Sequence, residues 1–292
     1  MCGPPILPPE LERKIFELVV EEHPKSALPV MLVAARTHYW VASILYNVSN
    51  QLGRTYPPVR GSNPNVKYYG TYVKHLIIGG DKSFEGLCRY LSACPNLIDI
   101  AIWTNCSMKR FLGLFSDLKL ERLSASLISL SPADFRSAAF AHLTHLDATK
   151  CGAKWAQCQG FVFLPHLTHL AINDMIDIDT LRQLLQRCER LKILLAINRG
   201  GSWYGWDCDW DSRRDIIMDP RFVMMKIVRY VIGDWMNSAH GKPNMWDWAE
   251  AISSVKKKES YKDGGKLWTT WFDEITWEGE LSKACEQNSG LS

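Results

Sequence analysis

The chain has 292 residues, 47% of them hydrophobic and 22% charged, with a net charge of +3. That balance excludes a mainly disordered chain, and so weak a positive charge without a clustered basic patch gives no reason to expect a nucleic-acid partner. No stretch approaches the roughly 18 uninterrupted apolar residues of a membrane helix, and the opening MCGPPILPPELERK lacks the basic-then-apolar order of a secretory signal, so no membrane association is expected.

Residues 1–52 form the first block. Leu11, Ile15, Phe16, Leu18 and Val19 follow helical spacing behind Pro8 and Pro9, which suit a helix start. Pro24 predicts that this helix ends near His23, because the residue before proline is biased out of the helical region. Leu28 to Val33 and Ala35 to Val48 predict a second and a third helix, with Trp40 and Tyr46 as bulky anchors. Residues 53–72 are rich in Gly, Pro, Ser and Asn without a sustained period, and read as a linker or a first capping turn.

Residues 73–198 carry a repeat. Leu76, Ile100, Leu123, Leu146, Leu170 and Leu194 recur at steps of 23 or 24 in one local frame, apolar-x-x-apolar-x-small or aliphatic, as in Val73/Leu76/Ile78 and Leu191/Leu194/Ala196. A period in the twenties with that spacing is the leucine-rich-repeat signature. Each unit supplies a short strand and a return such as SFEGLCRYLSAC or DTLRQLLQRC, which predicts parallel strands inside and helices outside. The fold class expected is therefore α/β: an N-terminal three-helix module, then a repeat solenoid, then a helical cap.

Side chains alternate along a strand, so those out of phase with the leucines face a concave sheet surface. His75, Asp99, Trp103, Arg122, His145, Asp147, His169 and Asn173 fall on it, and Ser124, Ser126 and Thr149 join them. Trp and Arg are enriched at binding hot spots, so Trp103 and Arg122 on neighbouring strands stand out. His145 and His169 occupy equivalent positions on adjacent strands, about 4.8 Å apart, with Asp147 nearby. Two histidines fall short of the ligand number zinc normally takes, so the reading is no metal.

After Asn198 the period breaks in a Trp- and Asp-rich loop, residues 199–218, whose segment 203–210 is a rival recognition site. Asp207, Asp209 and Asp211 lack the glycine and distal glutamate of a calcium loop. DPRFVMMKI then predicts a further strand, with Val223 aligned to Leu194. YVIGDWMNSAHG and NMWDWAEAISSVKKKESY predict helices, the second capped by Asn244. Nine of the twelve tryptophans follow residue 200, which predicts a packed cap over residues 219–292, at least as far as Trp277.

Nine scattered cysteines without C-x-x-C spacing argue against a disulfide scaffold and a zinc site, and for a reducing compartment, the cytosol or nucleus. No nucleophile elbow, P-loop, dinucleotide fingerprint or zinc-protease motif occurs, so neither catalytic residues nor a cofactor are expected.

With its first block and its repeats taken together, the chain resembles F-box proteins, in particular fungal F-box-like proteins with degenerate leucine-rich repeats. Leu7, Pro8, Glu10, Leu11, Ile15, Phe16, Leu32, Val33, Trp40 and Leu45-Tyr46 carry the resemblance, with DPRF and the W-A-E-A helix near the end. The resemblance implies a substrate receptor of an SCF-type cullin-RING ubiquitin ligase. Leu7, Pro8, Leu11, Ile15, Phe16 and Leu32 would then bind a Skp-type adaptor, and the repeats a protein substrate. A stand-alone repeat scaffold with no ubiquitin role is the alternative.

Overall fold

The computed structural model describes residues 7–52, 66–80, 83–173, 176–198, 214–226 and 231–257. The chain divides into two compact units, residues 1–123 and 124–292. Eight strands lie in chain order in one parallel sheet: β1 Val48–Gln51, β2 His75–Gly79, β3 Asp99–Trp103, β4 Arg122–Ser126, β5 His145–Lys150, β6 His169–Ile172, β7 Ile193–Asn198 and β8 Phe222–Lys226. The molecule is thus α/β, with a repeat-like arrangement of parallel strands and helical returns.

In the first unit, α1 Pro9–Glu22 starts at the proline pair and stops before Pro24. Two further helices follow, α2 Ala27–Met31 and α3 Ala35–Leu45. Val20, Ala27, Val30, Met31, Val41, Ala42 and Tyr46 form their core. The Thr37 hydroxyl accepts the Ala34 N–H at 3.0 Å and lies 3.0 Å from the Val30 carbonyl, which fixes the turn from α2 into α3. Glu12 and Arg36 tie α1 to α3 through two bonds of 3.0 and 2.7 Å.

The third helix is shorter than the sequence predicts. It ends at Leu45, and Val48–Gln51 is instead β1, paired with β2 through Val48↔His75. Val48 is β-branched, and Lys74 and His75 both donate backbone bonds to the Asn47 carbonyl, so pairing competes successfully with another helical turn. The sheet therefore begins inside the block assigned to the helical module. Within the expected linker, residues 53–65 lie outside the described residues, and α4 Val66–Gly70 follows. The return from β2 is α5 Phe84–Ala93, opened by Ser83, whose hydroxyl accepts the Gly86 N–H at 3.2 Å. After β3 the chain closes with a 3-10 turn, Met108–Phe111, and one helical turn, α6 Leu112–Phe115.

In the second unit the repeat frame sets the register. Leu146 faces Leu170, and Leu170 faces Leu194. All three are essentially inaccessible to solvent. The returns here are of two kinds. After β6 comes α8 Ile178–Arg187, whose first turn is capped by Asp177 accepting the Thr180 N–H at 2.6 Å. The returns after β4 and β5 are tighter: 3-10 turns Pro132–Arg136 and Ala138–Phe140, then α7 Trp155–Cys158 running into the 3-10 turn Gln159–Phe163. Phe135, Phe140 and Phe161 fill the volume a longer helix would occupy.

Of the expected loop, residues 199–213 lie outside the described residues, and α9 Arg214–Met218 precedes β8. In β8 it is Phe222, not Val223, that stands opposite Leu194. The shift of one residue places the buried Phe222 ring on the leucine face. Helices α10 Val231–Ala239 and α11 Met245–Lys257 complete the described chain, and Asn244 caps α11 by accepting the Trp246 N–H at 3.0 Å. Trp268, Trp271 and Trp277, part of the predicted cap, lie outside the described residues.

The described cysteines, Cys88, Cys94, Cys106, Cys151, Cys158 and Cys188, are all free thiols. Burial pushes Cys94 up to about 12 and Cys188 up to about 11, as for small buried apolar groups. No described helix is long and apolar enough to cross a membrane.

Candidate functional site

Two surfaces gather the residues singled out from the sequence. The first is the outer side of α1 and α2, in the first unit. Leu11, Ile15 and Leu18 recur at helical spacing on the side of α1 that turns away from the Val20 core, and Leu7, just before the helix, is exposed with them. Leu11, Ile15 and Leu18 are 51%, 49% and 52% exposed, and Leu32, beyond α2, is 86% exposed. Pro8, Leu28 and Val33 are exposed as well. So many large apolar side chains left in water on one small module mark a surface that is more costly to keep bare than to cover. Phe16, also expected there, is half-buried and packs against the module's own core. Its place on α1, one residue from Ile15, turns it inward.

The second surface is the sheet face opposite the leucines. In the first unit, His75 and Asp99 are buried side by side on β2 and β3, with Nδ1 and Oδ2 3.1 Å apart. Arg122 reaches the same carboxylate oxygen through Nε at 3.2 Å, so the three residues form one polar cluster. Trp103 is half-buried at the end of β3. Ile77 and Ala101, on the same face, are inaccessible. Both faces of β2 are therefore buried, which corrects the expectation of an open face there.

In the second unit the same correction has a visible cause. α11 lies on the face of β7 and β8 opposite the leucines, burying Met245 and Ala249 against Ala171, Ile193, Leu195, Ile197, Val223 and Met225, with Trp246, Trp248 and Ile252 around them. His145 and His169 stack with ring centres 4.2 Å apart and planes 5° from parallel, and Trp246 meets both rings edge-on. Glu250, one turn on, lies with Oε1 3.0 Å from His169 Nε2. Burial lowers the His169 pKa, with Glu250 opposing that shift. Asp147 is buried beside them, accepting from Ser124 Oγ at 2.6 Å and from the Asn173 amide. Among the described residues no group of three or more His, Cys, Asp or Glu is placed to hold a metal.

α11 is seated by two charged side chains in unfavourable surroundings. Asp234 on α10 accepts the Met245 N–H at 2.8 Å, and burial, reinforced by Asp147 and Asp247, pushes its pKa up to about 7. Lys256 donates to the Asp219 and Phe222 carbonyls, and burial brings its pKa down to about 7 against the pull of Asp219. Sequence reasoning missed Trp246, Glu250, Asp234 and Lys256 as partners of the sheet face. The available signal was the apolar spacing Met245, Ala249, Ile252, a helical stripe that needs a seat. The Trp-rich segment 203–210 and Asp207, Asp209 and Asp211 lie outside the described residues.

Asp234→Asn isolates one of these costs. The amide oxygen still accepts the Met245 N–H, while the buried negative charge is gone. The folded pKa lies above the ordinary 3.8, so the wild-type carboxyl gives its full stability below about pH 4 and loses it as pH rises through about 7. The variant is expected to be more stable than wild type at pH 8, by at most about 4 kcal/mol, with the difference shrinking toward nothing near pH 4. Urea unfolding at pH 4, 6 and 8 measures it. No family model matches the chain, and no curated protein matches it either.

Proposed function

We propose that this chain is the substrate-recognition subunit of an SCF-type cullin-RING ubiquitin ligase, working in the cytosol or nucleus. In this reading the α1–α2 surface binds a Skp-type adaptor and the repeats hold a protein substrate. The observation that carries it is the exposed stripe Leu11, Ile15 and Leu18 on α1, together with exposed Leu7 before it and Leu32 at the end of α2, in the block whose Leu7, Leu11, Ile15 and Leu32 carry the resemblance to an F-box. An amphipathic face of this kind gains affinity by burying its stripe in a partner's groove. No catalytic step or cofactor is assigned to it.

The test is a binding titration of the purified full chain against a Skp-type adaptor, beside the Leu11→Asp, Ile15→Asp double variant. Both side chains are half in water already, so the variant keeps its fold. Micromolar or tighter binding by wild type is expected, with at least a thirtyfold loss in the variant, equivalent to about 2 kcal/mol. Absence of wild-type binding, or equal binding by both, overturns the reading. A second reading, a stand-alone repeat scaffold, is favoured by the pairing of β1 with β2, which makes the helical block continuous with the sheet. It predicts no adaptor binding by either protein.

A further inference from the structure

We infer that Cys151 and Cys158 are a redox modification site, a dithiol that closes to an intramolecular disulfide when low-molecular-weight disulfides of the glutathione class accumulate around the protein. The site belongs to the second unit and does not depend on adaptor binding.

The chain turns back on itself to bring the two thiols together. Cys151 directly follows β5, and Cys158 closes the one-turn α7, 7 residues further on. Between them Gly152 adopts φ +88°, a conformation natural to glycine, and a β-carbon there would run into the Gln157 side-chain amide. Gln157 in turn accepts the Lys154 N–H at 3.2 Å, which holds the loop closed. The Cys158 thiol therefore meets Cys151 with the sulfurs 4.0 Å apart, and each sulfur lies 3.6 Å from the Gly152 carbonyl oxygen. Both residues are buried, Cys158 completely. Two weak donors thus share one acceptor, so their protons contribute little to the fold and can be removed at small cost.

Burial alone leaves a thiol inert, because it disfavours the attacking thiolate. Here that burial is easily interrupted. Ala153, Lys154, Ala156 and Gln157 in the same loop are exposed, and a helix of one turn has little stability of its own. When α7 opens, Cys158 meets solvent while Cys151 stays anchored at the end of β5. The Cys158 thiolate attacks one sulfur of the incoming disulfide, forming a mixed disulfide and releasing the first reagent thiol. On reclosure Cys151 gives up its proton, its sulfur attacks the Cys158 sulfur, and the second reagent thiol leaves with that proton. Two protein thiols are thereby oxidised by two electrons, and one small disulfide is reduced to two thiols. The sulfurs must close by about 2 Å, within reach of a side-chain rotation and a slide of α7. So short a loop keeps the resolving thiol at hand, and the second step outruns capture by another molecule. The product is neutral, which suits a buried site better than a thiolate.

The test uses the purified full chain, reduced and then equilibrated under native conditions in glutathione buffers of constant total concentration and rising oxidised fraction, with remaining thiols alkylated. Trypsin cuts after Lys150 and Lys154, between the two cysteines, so the disulfide joins peptide 151–154 to peptide 155–182 and is read by mass spectrometry. The joined peptide is expected at an oxidised-to-reduced glutathione ratio at least tenfold lower than the one that modifies half of Cys88 or Cys106, the partly exposed thiols. Hydrogen exchange of the oxidised chain is expected to show β5 and β6 still protected and the amides of 153–157 at least tenfold slower than in the reduced chain. Three results overturn the inference. They are Cys151 and Cys158 still alkylated when Cys88 and Cys106 are fully modified, separate glutathione adducts on the two, and a joined peptide that forms only as β5 and β6 lose protection.

Discussion

Phe161→Ala is expected to lower the stability of the chain by about 4 kcal/mol, the largest effect of any single truncation proposed for this molecule. Phe161 is essentially inaccessible, and its ring meets Phe135 edge-on at 5.2 Å, while Phe135 in turn stacks on Phe140 at 5.7 Å. These rings stand where the neighbouring repeats place a helix, so no longer backbone element is present to collapse into the space left behind. Relaxation is further limited by Gly160, where even a β-carbon would lie 2.2 Å from Phe135. The cavity therefore stays open, and the cost approaches the sum of lost transfer and lost packing. Phe161→Leu restores much of the volume and is expected to recover about half of the loss. Urea unfolding of the three proteins, compared at constant slope, measures both numbers. A loss under about 1 kcal/mol for the alanine variant would show that the ring cluster is loosely held.

Gly70→Ala is expected to cost about 3 kcal/mol in the other unit, from the opposite error, too much volume instead of too little. A β-carbon on Gly70 would stand 1.9 Å from the Ala93 carbonyl oxygen and 2.7 Å from its carbon. Those are backbone atoms at the end of α5, so no rotamer change removes the clash. Either α4 or the end of α5 must move, and Cys94 and Leu97, buried just beyond, are carried with it. Thermal unfolding compared with Gly113→Ala, where nothing lies within 4 Å of the added carbon, separates this clash from the ordinary effect of changing a glycine.

Much of this fold was legible in the sequence because the repeat frame is a strong periodic signal. The frame leucines find one another across the sheet in the expected register, Leu146 to Leu170 to Leu194. Asn244, Ser83 and Asp177 cap helices because short polar side chains satisfy the orphan N–H groups of a first turn. What failed to show was which face of each strand meets water. The strands HLIIG, DIAIW and ILLAIN are apolar in both phases, the pattern of a strand buried on two sides. Reading only the leucine phase left Ile77, Ala101 and Leu195 unaccounted for, and their burial is what closes the expected recognition face. RLSAS and HLDATK, by contrast, alternate with polar residues, and there Arg122, Ser126, His145 and Thr149 remain half-exposed. The candidate site on α1 was easier to read, since Leu11, Ile15 and Leu18 share one helical phase; the inward turn of Phe16 follows from its belonging to the next one.

The sheet pairs residues that are near in the chain, His75 with Asp99 and His169 with Ile193, whereas α11 closes over it through a contact spanning 81 residues, His169 to Glu250. Short loops close at little entropic cost, so the strands are expected to assemble sequentially and quickly despite their parallel pairing. On a ribosome adding roughly 5–20 residues per second, the face of β6 and β7 is complete well before Met245 has been synthesised, and it stays uncovered for some seconds. An apolar strip open for that long is expected to recruit chaperones to the nascent chain until α11 covers it.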